Sequence, residues 1–272
     1  MRQTGDAWRP SPNSHTIKIA LHYPDLALLF LTRRKSYEEV VATMVQRDLA
    51  SLRRRAASLE EGSDSFLRLT TERKQQTIRR IIPGRRRDSS LVFNEFYGML
   101  YAATRALRPR RVVETGVYMG ASSAAILQAL EDNGAGRLHS IDLPTSQHRY
   151  FLQEGKSIQI GLPSPSLSVG FAVAHRLRRR WDLHLGNSLD VLPDLLQELG
   201  PISMFIHDSL HTYEHMTAEF TLGYNALEKG GVLIADDIGY NRAWADFCKA
   251  NHEQGEVLTN GPGFMGCLVK SH

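Results

Sequence analysis

RVVETGVYMGASS, residues 111–123, is the stretch on which the fold of this chain turns. Arg111 to Thr115 is a short apolar run of strand length, Gly116 and Gly120 bracket a loop, and Ala121 to Asp132 has the pattern of a helix. The stretch therefore reads strand, glycine loop, helix. At Gly116 and Gly120 the missing side chains would let a ligand approach the backbone, although GxxxG spacing alone is a weak signal.

Downstream, the same alternation repeats. The runs Arg137 to Asp142, Trp181 to Asn187, Ile202 to Asp208 and Gly231 to Asp237 read as strands. Ser188 to Leu199, Thr212 to Lys229 and Asn241 to Asn251 read as helices between or after them. This order predicts an α/β fold with a Rossmann-like, doubly wound parallel sheet. Two last runs, Gly255 to Thr259 and Phe264 to Lys270, flank Gly261-Pro262-Gly263 and predict an antiparallel C-terminal hairpin. Together these make a mostly parallel seven-stranded sheet within residues 91–272. The connection 143–180 is too long for a simple link, so it reads as a lid over an acceptor, with Tyr118 and Tyr150 close by. Arg176 to Arg180, in the same connection, are placed to face water or to grip an anion.

Upstream, residues 1–90 read as an arm followed by a helical extension. Pro10, Pro12 and Pro24 break the first 35 residues. Ser36, followed by Glu38 and Glu39, starts a helix whose apolar stripe includes Val40, Val41, Met44 and Leu49 and which ends near Gly62. Asp64 to Ile82 reads as a second helix and Ser89 to Leu107 as a third. An amphipathic helix needs a partner for its stripe, and a homodimer is one way to supply it.

Composition narrows the function classes. The chain has 272 residues, 42% of them apolar, enough for a large core. Two cysteines, Cys248 and Cys267, make no disulfide scaffold, which suggests a reducing, cytoplasmic setting. The run Leu26 to Leu31 is too short to cross a bilayer and follows no basic leader, so neither secretion nor a membrane anchor is expected. Residues 1–90 carry 18 Lys or Arg against 10 Asp or Glu, whereas the rest is mildly acidic. Clusters such as Arg53 to Arg55 and Arg85 to Arg87 are not interleaved with aromatic residues, so a nucleic-acid partner is disfavoured.

In a doubly wound sheet, ligands gather beyond the carboxyl ends of the strands. Here those ends carry Glu114 and Gly116, Asp142, Asn187, Asp208, and Asp236 with Asp237. Helix capping explains one or two such residues, but five strand ends less comfortably. Asp142 falls 26 residues after Gly116, at the end of the second strand, where a carboxylate can accept both hydroxyls of a ribose. The loop lacks the glycine spacing of dinucleotide sites and the lysine of a phosphate-binding loop, which argues against NAD and ATP and for an adenosyl ligand.

At this point the chain resembles the class I S-adenosylmethionine-dependent methyltransferases, in the small-molecule branch with macrocin O-methyltransferase-like and cephalosporin hydroxylase-like proteins. The likeness covers about residues 92–270. It is carried by VETG (113–116), SID (140–142), GNS (186–188), HDSLHTYE (207–214) and GGVLIADD (230–237). The resemblance implies that Glu114 holds the methionine amino end, that Gly116 and Gly120 back the ligand, that Asp142 binds the ribose, and that Asn187 and Ser188 lie beside the adenine. Tyr118, Ser122 and Asp208 join these as cofactor-binding candidates.

The acidic trio Asp208, Asp236 and Asp237 suits Mg²⁺ better than zinc, because its donors are all oxygens. A metal there would orient a substrate hydroxyl and lower its pKa. His211, three residues past Asp208, is the candidate base, with a helix-start or packing role as the alternative. The expected function is methylation of a hydroxyl on a small molecule such as a sugar, polyketide or phenolic natural product. Two other readings share the fold: a metal-independent N- or carboxyl-methyltransferase, and a non-catalytic adenosyl-binding protein whose basic region contacts RNA or a partner.

Overall fold

The computed structural model describes residues 23–32, 34–56, 95–144, 149–153, 156–160, 162, 167–260 and 263–272. The expected helix Asp64 to Ile82 and most of the basic arm lie outside these residues.

The chain enters through α1 (Pro24–Leu31) and α2 (Tyr37–Ala56). Pro24 was expected to break structure. Instead it begins α1, because a proline in the first turn gives up an N–H that has no partner within the helix anyway. Ser36 and Glu39 form the box that opens α2: the Glu39 N–H donates to Ser36 Oγ at 3.2 Å, and the Ser36 N–H donates to Glu39 Oε2 at 2.8 Å. Val40, Val41, Met44, Val45 and Leu49 of α2 are buried in one cluster with the helices beside the sheet. At roughly 1.5–3 kcal/mol per buried side chain, this stripe is what docks the helix. These described residues of the stripe are thus covered within the chain.

Helix α3 (Glu95–Leu107) leads into β1 (Arg111–Thr115), and α4 (Ala121–Asn133) and β2 (Arg137–Asp142) follow. The long connection then contains a small antiparallel hairpin, β3 (Arg149–Gln153) and β4 (Lys156–Ile160), which the sequence patterns did not reveal. It closes with a 3₁₀ segment, His175–Arg180. The remaining elements are β5 (Trp181–Leu185), α5 (Ser188–Leu199), β6 (Ile202–His207), α6 (Tyr213–Ala226), β7 (Leu227–Ala235), α7 (Ala243–Ala250), β8 (Glu256–Asn260) and β9 (Gly263–Val269).

The seven-stranded sheet runs β5-β2-β1-β6-β7-β9-β8. Its first five strands are parallel, and β9 and β8 close the edge antiparallel. The expected mostly parallel sheet with a C-terminal hairpin is thus observed. One detail differs: β7 starts at Leu227 rather than Gly231, since α6 stops at Ala226 and Leu227 already pairs with Ile202.

One core lies under α2, α3 and α4, and the other under α5, α6 and α7. Cys248 and Cys267 are buried free thiols. Strand order reverses between β1 and β6, and a crevice beyond that switch point is where ligands bind in such sheets. Among the described residues no helix is long and apolar enough to cross a membrane.

Candidate active site

The switch point is closed by backbone. The Gly116 N–H donates to the Ile141 carbonyl at 2.9 Å, and the Asp208 N–H donates to the Thr115 carbonyl at 2.9 Å. Gly116 has φ +85, and a Cβ there would run into the Asp208 carbonyl. Gly120 has φ +92, and its Cβ would press on Val173 and Gly170. The two glycines thus make room for protein as well as for any ligand, a correction to the simple picture of space held open. They let the ends of β1 and β6 touch, and they let the lid turn at 170–173 sit on the start of α4.

Glu114 is fully buried at the end of β1. Its Oε2 accepts hydroxyls from Ser123 and Ser140, each at 2.6 Å. Ser122 adds a further hydroxyl beside the carboxylate without completing a hydrogen bond to Oε1. Oε1 is enclosed with no hydrogen-bond partner among the described residues. Burial pushes the carboxyl up, while the serine hydroxyls oppose that shift. A buried oxygen left open is costly unless something completes it, and an ammonium group would do so.

Asp142 organises the loop. Its Oδ2 accepts the N–H groups of Val117 at 2.9 Å and Tyr118 at 2.6 Å, and its Oδ1 accepts that of Leu143 at 2.6 Å. Burial raises this carboxyl too, against the pull of those amides. Tyr118 holds a left-handed backbone (φ 52), a conformation disfavoured for a bulky residue, and its amide bond to Asp142 helps fix it there. Asn187 caps α5 by accepting the Leu189 N–H at 3.1 Å. Ser188, next to it, turns inward and bonds to His215 and Glu219.

Asp208, Asp236 and Asp237 share one electrostatic field. Asp208 is held well above the usual carboxylate range, first by burial and then by repulsion from Asp236, Asp237, Glu114 and Asp142. Asp237 adopts φ 51 and is raised by burial. Yet no group of three metal-ligating side chains forms among the described residues, so the trio as placed does not offer the expected Mg²⁺ site. His211 Nε2 lies 4.0 Å from Asp208 Oδ1. Its ring stacks on Tyr240 at 5.7 Å and 27°, and burial pushes its pKa down to about 3, which keeps the imidazole neutral. Asn241 donates to the His211 carbonyl at 3.0 Å, tying the loop after β6 to the loop after β7.

Two residues here escaped the sequence reading. Tyr97, on α3, is pushed up by burial and then by the charges of Asp208, Asp236, Glu114 and Asp237. Glu219, on α6, is fully buried and gathers polar groups from several strand ends. It carried a readable signal, a lone acid on the apolar face Met216, Phe220, Gly223 and Tyr224, all buried in the structure. Arg176, Arg178 and Arg179 are exposed, as a run facing water would be, yet these arginines and Arg180 also make bonds within the chain. Arg176 binds Gln128 at 2.5 Å, Arg178 binds the carbonyls of Val173 and Gly170, and Arg179 and Arg180 share Glu131.

Residues 113–238 match the family described as a methyltransferase domain. No curated protein matches the chain. Among solved structures, a candidate O-methyltransferase from Klebsiella pneumoniae is 14% identical, with 84% of this chain and 100% of that one covered at a TM-score of 0.50. The O-methyltransferase from Bacillus cereus in complex with SAH is 15% identical, covering 80% and 96%, at 0.48. TomG from Streptomyces achromogenes, an O-methyltransferase involved in tomaymycin synthesis, is 19% identical, covering 78% and 91%, at 0.46. The part of the chain that matches a methyltransferase domain, residues 113–238, holds the glycine loop and the strand ends described above, and the solved structures share its fold.

Proposed function

We propose that the protein methylates a hydroxyl group of a small molecule. The observation that carries this reading is a neutral imidazole, His211, 4.0 Å from the repelled carboxylate of Asp208 beyond the switch point of the sheet. Glu114, with its open Oε1, would hold the methionine ammonium of S-adenosylmethionine. Asp142 would take the ribose, and Asn187 and Ser188 would flank the adenine. Tyr118, Ser122 and the backbone at Gly116 and Gly120 would line the remainder.

When bound, the cofactor supplies an electrophilic methyl on a sulfonium. An acceptor hydroxyl that took this methyl would give up its proton, and His211 Nε2 would be the group to receive it. Burial keeps His211 neutral at neutral pH but also weakens it as a base, so its use as proton acceptor depends on a negative charge beside it as the imidazolium forms. Asp208 stands close enough to stabilise the imidazolium that results, and its own raised basicity makes it a second proton acceptor. Tyr240 and Asn241 hold the base in place from the neighbouring loop.

A divalent cation forms the second reading. Mutual repulsion among Asp208, Asp236 and Asp237 is what favours it, since a cation would relieve that repulsion. As placed, the three side chains do not converge, so no step above is routed through a metal. A homodimer through the N-terminal helices would find exposed apolar side chains on α1, where Leu28 and Leu31 stand 61% and 76% exposed.

The test is incubation with methyl-labelled S-adenosylmethionine and a panel of sugars, polyketides and phenols, with and without a chelator. Label transferred to oxygen, and lost in His211→Ala, supports the reading. Transfer to nitrogen or carboxylate acceptors alone would overturn it. Full activity after chelation would remove the metal.

A further inference from the structure

The methyl transfer described above leaves one buried cluster unused. Glu219 is fully buried on α6, and its two oxygens serve five groups from separate segments. Oε2 accepts the Thr115 hydroxyl at 2.5 Å and the His207 ring at Nδ1, 2.6 Å away. Oε1 accepts Ser209 Oγ at 2.8 Å, His215 Nε2 at 2.9 Å, and the hydroxyl of Ser188. Burial alone would raise this carboxyl, but His207 and His215 outweigh it and hold the group well below the usual range. An ionised carboxylate only accepts, so both imidazoles present N–H to it.

The positions of these partners carry the argument. Thr115 immediately precedes Gly116, and Ser188 follows Asn187, so both belong to the side assigned to the cofactor. Ser209 follows Asp208 and precedes His211 by two residues, so it belongs to the acceptor side. A carboxylate has about four acceptor sites, and five donors fill them. With no site to spare, Glu219 cannot release or shift one partner without disturbing the others. Filling such a position with an apolar side chain would cost less in desolvation, so what the carboxylate adds is a rigid link.

We propose that Glu219 is a positioning residue that couples the cofactor side of the strand ends to the acceptor loop, residues 208–212, so that a filled cofactor site sets that loop. The proposal rests on the methyltransferase reading.

Hydrogen exchange read by mass spectrometry tests it, with S-adenosylhomocysteine as the probe. In the wild type, the probe should slow exchange at residues 115–120 and 188–192, and should also slow it about tenfold at residues 208–214. In Glu219→Gln the first two responses should persist and the third should vanish. Ser209→Ala removes one link at the edge of the cluster and should give the same split even where Glu219→Gln folds poorly. Ser209→Thr keeps the hydroxyl and should restore the coupled response. A role in stability alone would lower Tm and leave the three responses together. Persistence of the third response in both Glu219→Gln and Ser209→Ala would overturn the proposal, as would its absence in wild type that binds the probe. A wild type in which no segment responds, and which shows no binding, would instead overturn the methyltransferase reading on which the proposal stands.

Discussion

Gly116 shows how one residue holds two strand ends together. A side chain there has to adopt φ +85 and to displace the Asp208 carbonyl, which belongs to backbone and cannot swing away. Gly116→Ala should therefore cost more than about 3 kcal/mol, in the range reserved for strain and overpacking. Denaturant unfolding checks this, and a loss below about 1 kcal/mol would show that the loop moves freely. Asp208 makes the opposite case. Burial and four neighbouring acids disfavour its charge, so the ionised form carries a cost in stability. Asp208→Asn should raise Tm at pH 7, on the order of 2–4 °C for each kcal/mol recovered, while methyl transfer falls by tenfold or more, about 1.4 kcal/mol or greater. A variant that is less stable would mean that the aspartate's hydrogen bonds outweigh its repulsion.

At the scale of elements, the join between the N-terminal helices and the sheet domain is built from ordinary parts. The Ser36 and Glu39 box fixes the start of α2, the buried stripe from Val40 to Leu49 provides adhesion, and Arg53 bonds to Asp132 on α4 at 2.9 Å. Ser36→Ala should lower stability by about 1 kcal/mol through the lost cap. Thermal unfolding of the variant reads this directly, and an unchanged Tm would show that α2 melts separately from the rest. Much of this was legible in sequence, because capping and helical periodicity are local properties. The connection 143–180 was legible only as a length. Its hairpin from Arg149 to Ile160 lacks a clear alternating pattern, and its arginines looked like a solvated run. Arg176, Arg178 and Arg179 are indeed exposed, but the arginines of this run also bind Gln128, Glu131 and turn carbonyls, partners that lie 40 or more residues away or depend on the turn itself.

For the molecule as a whole, acid is the informative variable. The unfolded chain protonates His211 near its ordinary value of 6.5, whereas the fold keeps it neutral down to about 3. Between those values the unfolded state binds more protons, so stability should fall as pH drops from 6.5 towards 3. Glu219 adds to the acid loss: its depressed carboxyl stabilises the fold above the ordinary carboxylate value, and that contribution disappears as pH falls through the folded value. Asp208 works the other way, because its raised carboxyl weakens the fold as pH climbs above 3.8. His211→Gln should lose less Tm than wild type between pH 7 and pH 4. Parallel curves for the two proteins would show that His211 is solvated in solution.

The sequence by itself determined the α/β alternation, the seven strands of the main sheet, and which residues stand at the strand ends, because strand and helix periods and glycine placement are written locally along the chain. It also placed Glu114, Asp142, Asp208 and His211 near one another, since parallel crossovers bring successive strand ends to one edge of the sheet. Only the tertiary structure decided what those side chains touch. It turned Asp142 onto the amides of its neighbouring loop, left the acidic trio without a three-ligand metal arrangement, and centred the buried network on Glu219. Those outcomes depend on rotamers and on contacts between segments a hundred residues apart, as with Thr115 and Glu219. No local pattern encodes such contacts, because the partners meet only when the sheet closes.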